Sequence, residues 1–242
     1  MVEGDCGVEV PLLVEFVGFP GAGKTTIAKS AVRRIRGDAC GVNVVHYNKE
    51  IKARFRVSET PEVLDLLRGT IRRLWRERGV REFMRLSSVL DRVHAIRRCR
   101  RMLRGCDMVV HDQALLQRLY LMRRRERLER EGLEAVLRTI KPDLANVYVV
   151  LEIPPEVAAS RYANRGKTSS RRPYRLWSLG AITDMYRRYE ELLAWLAVWL
   201  ERQDKITVIR LDARVDAEEN GRILAERLVQ LVRGPDSAVG QQ

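Results

Sequence analysis

The residues best suited to chemistry lie close together near the start of the chain. Gly18-Phe19-Pro20-Gly21-Ala22-Gly23-Lys24-Thr25 fits the spacing GxxxxGK[ST] in full. A polyphosphate needs several hydrogen-bond donors at once, and main-chain N–H groups supply them only where no side chains intervene. Glycines at 18, 21 and 23 allow that close wrapping. A helix starting near Lys24 adds the positive end of its dipole. Lys24 is expected to reach the β and γ phosphates, and the Thr25 hydroxyl to ligate Mg²⁺. Ala22 and Thr26 are counted with the expected cofactor-binding residues. Such a site also calls for a second carboxylate, held at the end of a buried strand. Met108-Val109-Val110-His111-Asp112 supplies Asp112 for the metal and for catalysis. Asp112 also reads as a cap on the helix that follows, and the two roles can coexist. His111 reads as a core or edge histidine.

The elements around these residues follow from hydrophobic patterning. Leu12–Val17 is a short apolar run ending at a glycine, as a buried parallel strand would be. Lys24–Arg36 reads as a helix stopped near Gly37, and Val42–His46 as a second strand. Pro61–Leu103 is helical throughout, with a break at Gly79. Asp107–His111, Asn146–Ile153 and Ile206–Leu211 are the remaining strands. Helices are expected at Ala114–Glu131, Leu133–Ile140, Glu156–Asn164, Leu179–Trp199 and Glu218–Val232. Strands alternating with helices imply a parallel sheet covered on both faces. No linker divides the chain, so residues 1–242 are expected to form one domain, with a flexible tail at 234–242.

Composition narrows the class. Apolar residues make up 45% of the chain, which suits a packed globule. Lys plus Arg is 45 against 32 acidic residues, giving +13 and favouring anionic partners. The arginines lie on many segments and not in one aromatic-interleaved stripe, so a solvated basic surface is the preferred reading and nucleic acid stays an open partner class. The four cysteines form no CxxC pair and have no histidine at zinc spacing, as expected of reduced thiols in the cytosol. MVEGDCGVEV lacks a basic-then-apolar leader pattern, and the longest apolar stretch, Leu192–Leu200, is too short to span a bilayer. A cytoplasmic protein without a membrane anchor is expected. Asn48-Lys49-Glu50-Ile51 does not complete a guanine-reading NKxD element, which disfavours a GTPase-type switch.

On FVGFPGAGKTTIAKSA at 16–31, VVHDQALLQ at 109–117, VVLEIPPEVAASRYANRGK at 149–167 and IRLDAR at 209–214, the chain resembles the thymidylate kinase and deoxynucleoside kinase branch of P-loop phosphotransferases. The resemblance covers nearly the whole length. It implies an α/β fold, a P-loop NTPase three-layer α/β/α sandwich with a five-stranded parallel sheet of order 2-3-1-4-5. It also implies a helical lid, here about 165–176, and a helical substrate-side insertion, here about 48–105. By matching position Arg161, Arg165, Arg171 and Arg172 become lid candidates, Arg165 a catalytic one, and Arg161 and Asp212 cofactor-binding residues, with Asp212 in the stretch that resembles the loop beneath the adenine. A guanidinium delivered by a closing loop stabilises the charge that phosphoryl transfer spreads over non-bridging oxygens. Any one of these arginines also reads as a solvated loop charge. Glu50 falls where nucleoside kinases hold a carboxylate that accepts the hydroxyl proton, and reads equally as an exposed helix glutamate.

Two departures fall on the acceptor side. The family's acid–arginine pair after the third strand is Asp112-Gln113 here, and His46-Tyr47-Asn48-Lys49-Glu50 lacks the proline-centred signature of thymidylate kinases. The resemblance therefore implies ATP and Mg²⁺ as cofactors and a small-molecule phosphate acceptor: a nucleoside, a nucleotide, or another hydroxylated metabolite such as an antibiotic or sugar. A nucleic-acid-directed NTPase or end kinase is the remaining alternative, and a homodimer is left open.

Overall fold

The computed structural model describes residues 11–38, 41–47, 93, 96, 97, 100, 103, 105–112, 115, 116, 133, 134, 137, 138, 140–164 and 177–234. Glu50, Gln113, Arg165, Arg171 and Arg172 lie outside the described residues, as do the lid at 165–176, the tail beyond 234 and most of the insertion. The described elements run β1 (Leu12–Val17), α1 (Lys24–Gly37), β2 (Val44–His46), β3 (Met108–His111), β4 (Val147–Glu152), α2 (Pro155–Asn164), α3 (Leu179–Glu201), β5 (Thr207–Asp212) and α4 (Ala217–Arg233). A 3₁₀ turn at Lys141–Asp143 precedes β4.

All strand pairs are parallel, in the order β2-β3-β1-β4-β5 that the resemblance implies. β1 is central: Val14 stands opposite Val110 on one side and Val147 on the other. Its five residues from Leu13 to Val17 are all buried, which is why the strand reads as an apolar run broken only by Glu15. β3 begins one residue later than expected because Asp107 is occupied by the turn it closes. Its carboxylate accepts the Asn43 N–H at 2.6 Å and its own N–H donates to the Asn43 carbonyl at 3.0 Å.

α1 and α4 pack with bare backbone at their contact. A Cβ on Gly221 would collide with the Ser30 side chain. Ser30 Oγ also donates to Glu218 Oε2 at 2.8 Å. α2 and α3 are joined at their exposed edge by Arg187 and Glu156, at 2.7 Å. Arg97 grips the buried Asp143 through two bonds of 2.6 and 2.7 Å, tying the stretch before β3 to the turn before β4. Among the described residues no helix is long and apolar enough to cross a membrane.

One acid interrupts the core. Glu15 in β1 is buried, and its Oε1 accepts the Leu116 N–H at 2.8 Å, anchoring the chain just beyond Asp112. Burial, and then the charge of Glu15, push the Tyr148 phenol well above its ordinary pKa. Tyr148 therefore stays neutral, and its oxygen accepts the Ala145 N–H at 2.9 Å.

Candidate functional site

The N-termini of three helices differ in one respect. Ser178 caps α3 by accepting the Ala181 N–H at 3.2 Å. Asp216 caps α4 by accepting from Glu218 at 2.8 Å and Glu219 at 3.4 Å. α1 starts from Gly23 with no side-chain cap and no acid in its first turn. The first N–H groups of a helix lack intrahelical acceptors, and an end without a cap or an acid is open to an anion. It also stands where β1 has a neighbour on each side and the chain order switches, the place where open α/β sheets bind ligands.

The loop between β1 and α1 is shaped by its glycines. Gly23 has φ 91, the left-handed region that turns the chain into α1. Gly21, at φ 96, lies so close to α2 that a Cβ would collide with the Ala158 carbonyl. Within the loop the Ala22 N–H donates to the Phe19 carbonyl at 3.1 Å, and the Thr26 N–H to the Gly23 carbonyl at 2.9 Å. Lys24 folds back over this ring. Its Nζ donates to the Gly18 and Phe19 carbonyls at 2.6 and 2.8 Å, and the residue is only 5% exposed. A cation this deeply buried draws anionic groups toward it.

Asp112 sits at the end of β3, and its Oδ2 accepts the Thr25 hydroxyl at 2.6 Å. The two residues read from sequence as metal ligands are thus brought together from positions 87 apart in the chain. Both offer hard oxygen donors, which suits Mg²⁺. Among the described residues no group of three or more His, Cys, Asp or Glu could hold a metal. An ion here would complete its coordination with ligand and water oxygens, as magnesium sites facing phosphates do. His46 is buried at the end of β2. Burial pulls its pKa below the usual value, the charge of Asp112 opposes this, and Lys29 and Arg36 add to the lowering.

At the far end of the site, Arg161 on α2 donates to the Ala213 carbonyl at 2.7 Å, next to Asp212 at the end of β5. The Arg214 guanidinium and backbone N–H hold Asp212 and keep its carboxyl below the ordinary range. The buried Asn220 supports the same turn, donating to the Asp212 carbonyl at 2.9 Å. A cavity of about 820 Å³ borders both ends: Gly18 and Phe19 line it, as do Asp212 and Arg214. His111 is buried in β3, as a core histidine.

Sequence reasoning assigned no role to Glu15, Asn220 or the hydroxyl of Tyr186. Tyr186 stood in the apolar stripe of α3. Its ring stacks on Phe19, with centroids 4.8 Å apart and planes at 9°, and its hydroxyl donates to the Pro20 carbonyl at 2.9 Å. The available signal was that a buried tyrosine needs a partner for its hydroxyl, but nothing local names that partner.

A glycine loop running from a central strand into an uncapped helix, with a hydroxyl–carboxylate pair alongside, defines a P-loop nucleotide-binding fold. The family described as AAA domain matches residues 13–192, and the chain belongs to that family. No curated protein sequence matches it. Among solved structures, the deoxyadenosine kinase from M. mycoides with bound dATP is similar in fold, at a TM-score of 0.51 and 14% identity over 90% of this chain and 99% of that one. The structure of deoxyadenosine kinase from M. mycoides with the products dCMP and a flexible dCDP gives a TM-score of 0.49 and 15% identity over 91% and 100% of the respective chains. The fold is that of P-loop kinases.

Proposed function

We propose that this chain is an ATP-dependent phosphotransferase that moves the γ-phosphate of Mg-ATP to a nucleoside, a nucleotide or a related hydroxylated acceptor. The observation that carries the reading is the Thr25–Asp112 contact of 2.6 Å beside the uncapped start of α1. It provides metal ligands and amide donors at one place, on a fold shared with a kinase whose structure holds dATP. In this reading the main-chain amides from Gly21 to Thr25 bind the phosphate chain, and Lys24 leaves the Gly18 and Phe19 carbonyls to meet the β and γ oxygens. Thr25 and Asp112 hold Mg²⁺, which when bound draws charge from those oxygens. Arg161 and the Asp212 turn flank the base.

The remaining assignments belong to the same proposal. Residues 1–242 act as one domain, with the acceptor bound on the side of the 48–105 insertion. Arg165 reaches the transferring phosphoryl group from the lid, and Glu50 takes the proton from a hydroxyl acceptor.

The test is transfer from γ-labelled ATP with Mg²⁺ across a panel of nucleosides, nucleotides, sugars and an oligonucleotide, resolved by thin-layer chromatography. A labelled small-molecule product is expected. Labelling of the oligonucleotide alone would move the reading to an end kinase. ATP hydrolysis with every acceptor unlabelled would overturn it.

A further inference from the structure

We infer that Tyr186 is a positioning residue for phosphate binding: it sets the Pro20–Gly21 peptide so that the Gly21 N–H becomes the first donor of the loop. The inference rests on the nucleotide-binding part of the reading above.

Three observations carry it. The Tyr186 hydroxyl donates to the Pro20 carbonyl at 2.9 Å from a residue with no exposed surface. Its ring lies flat on Phe19, the preceding loop residue, so hydroxyl and ring together hold two consecutive positions of the loop. Gly21 itself abuts the Ala158 carbonyl of α2 too closely for any side chain.

The consequence follows from peptide geometry. No peptide bond here is cis. In a trans peptide the C=O and the following N–H point in opposite directions. Holding the Pro20 carbonyl toward α3 therefore turns the Gly21 N–H away from α3. Pro20 has no N–H of its own, so the residue just before Gly21 cannot take its place. The neighbouring carbonyls of Gly18 and Phe19 accept from Lys24, whereas the Pro20 carbonyl is held from α3. The buried hydroxyl needs a partner, and here that partner is a carbonyl of the loop itself.

Tyr186→Phe separates the two contributions, since the stack persists and the bond to Pro20 is lost. Full-length wild type and variant are titrated calorimetrically with Mg-ATP and with Mg-tripolyphosphate, adenosine binding is measured by competition, and both are melted without ligand. The expected result is a roughly three- to tenfold loss of affinity, equal for Mg-ATP and Mg-tripolyphosphate, the size of one hydrogen bond. Adenosine affinity should not move, and the melting temperature should fall by no more than about 4 °C. Unchanged Mg-ATP affinity would overturn the inference. So would a loss shared by adenosine, which would signify general loosening, or a loss seen with Mg-ATP and not with tripolyphosphate. Wild type that binds Mg-ATP but phosphorylates no acceptor would remove the kinase reading and leave this comparison standing. Wild type that binds neither phosphate ligand would overturn both.

Discussion

The two ends of the proposed nucleotide site are built differently. At the phosphate end the contacts are buried, directional and drawn from several elements: Lys24 from α1, Tyr186 from α3 and the Ala158 backbone from α2. At the base end, the Arg214–Asp212 pair has side chains 67% and 40% exposed, and exposed ion pairs of this kind contribute little. On the proposed reading, the phosphate end would rely on a loop braced by buried contacts, and the base end on groups that water can replace. Substitutions at the phosphate end should therefore cost far more function than those at the base end.

The largest effect should come from Lys24→Ala. We expect turnover to fall by about a hundred- to a thousandfold or more, since one preorganised donor to developing charge is worth that much. The melting temperature should hold, because the ammonium's bonds to the Gly18 and Phe19 carbonyls serve the loop and not the apolar core. Loss of folding would show that Lys24 serves the core. Gly21→Ala comes next. The collision with the Ala158 carbonyl and the strained φ should cost about 1–3 kcal/mol in stability and disrupt Mg-ATP binding, as read by urea melts and calorimetry. A variant with wild-type affinity would mean that the loop is not preformed.

Arg161→Ala should raise the Kd for ATP by only a few-fold with kcat almost unchanged, since it removes one bond to a carbonyl in a partly exposed turn. A loss as large as that of Lys24→Ala would erase the contrast between the two ends. The smallest effect concerns His46. Its folded pKa lies below the ordinary 6.5, so the unfolded chain binds more protons as the pH falls. Its contribution to stability should be full above about 6.5, decline as the pH falls from there to the folded pKa, and level off below it. The difference between wild type and His46→Asn in urea melts across that window isolates the effect, and a flat difference would contradict it.

The parts legible in the sequence are those where one short segment carries the whole signal. Residues 18–25 are contiguous, and their glycines are demanded by local backbone geometry, so the loop could be read directly. β1 could also be read, because burial on both faces leaves an apolar run even with Glu15 inside it. Strand order depends on which distant segments pair, and it came from the family resemblance and not from periodicity. Tyr186 was legible as part of a buried stripe but not as a partner of Pro20, because that bond joins residues 166 apart. Glu15 was hidden for the same reason, since its partner is the Leu116 N–H, 101 residues away. Asp112 could be singled out because a loop of this kind calls for a carboxylate at a strand end, and the structure brings it to the Thr25 hydroxyl at 2.6 Å.

The most direct test of the central claim is a calorimetric titration of ATP into the full-length protein, with and without Mg²⁺, repeated with Asp112→Asn. The account predicts saturable binding that strengthens with Mg²⁺ in the wild type, and loses most of that strengthening in the variant. Binding that is indifferent to Mg²⁺, or the absence of any heat from ATP in the wild type, would contradict it.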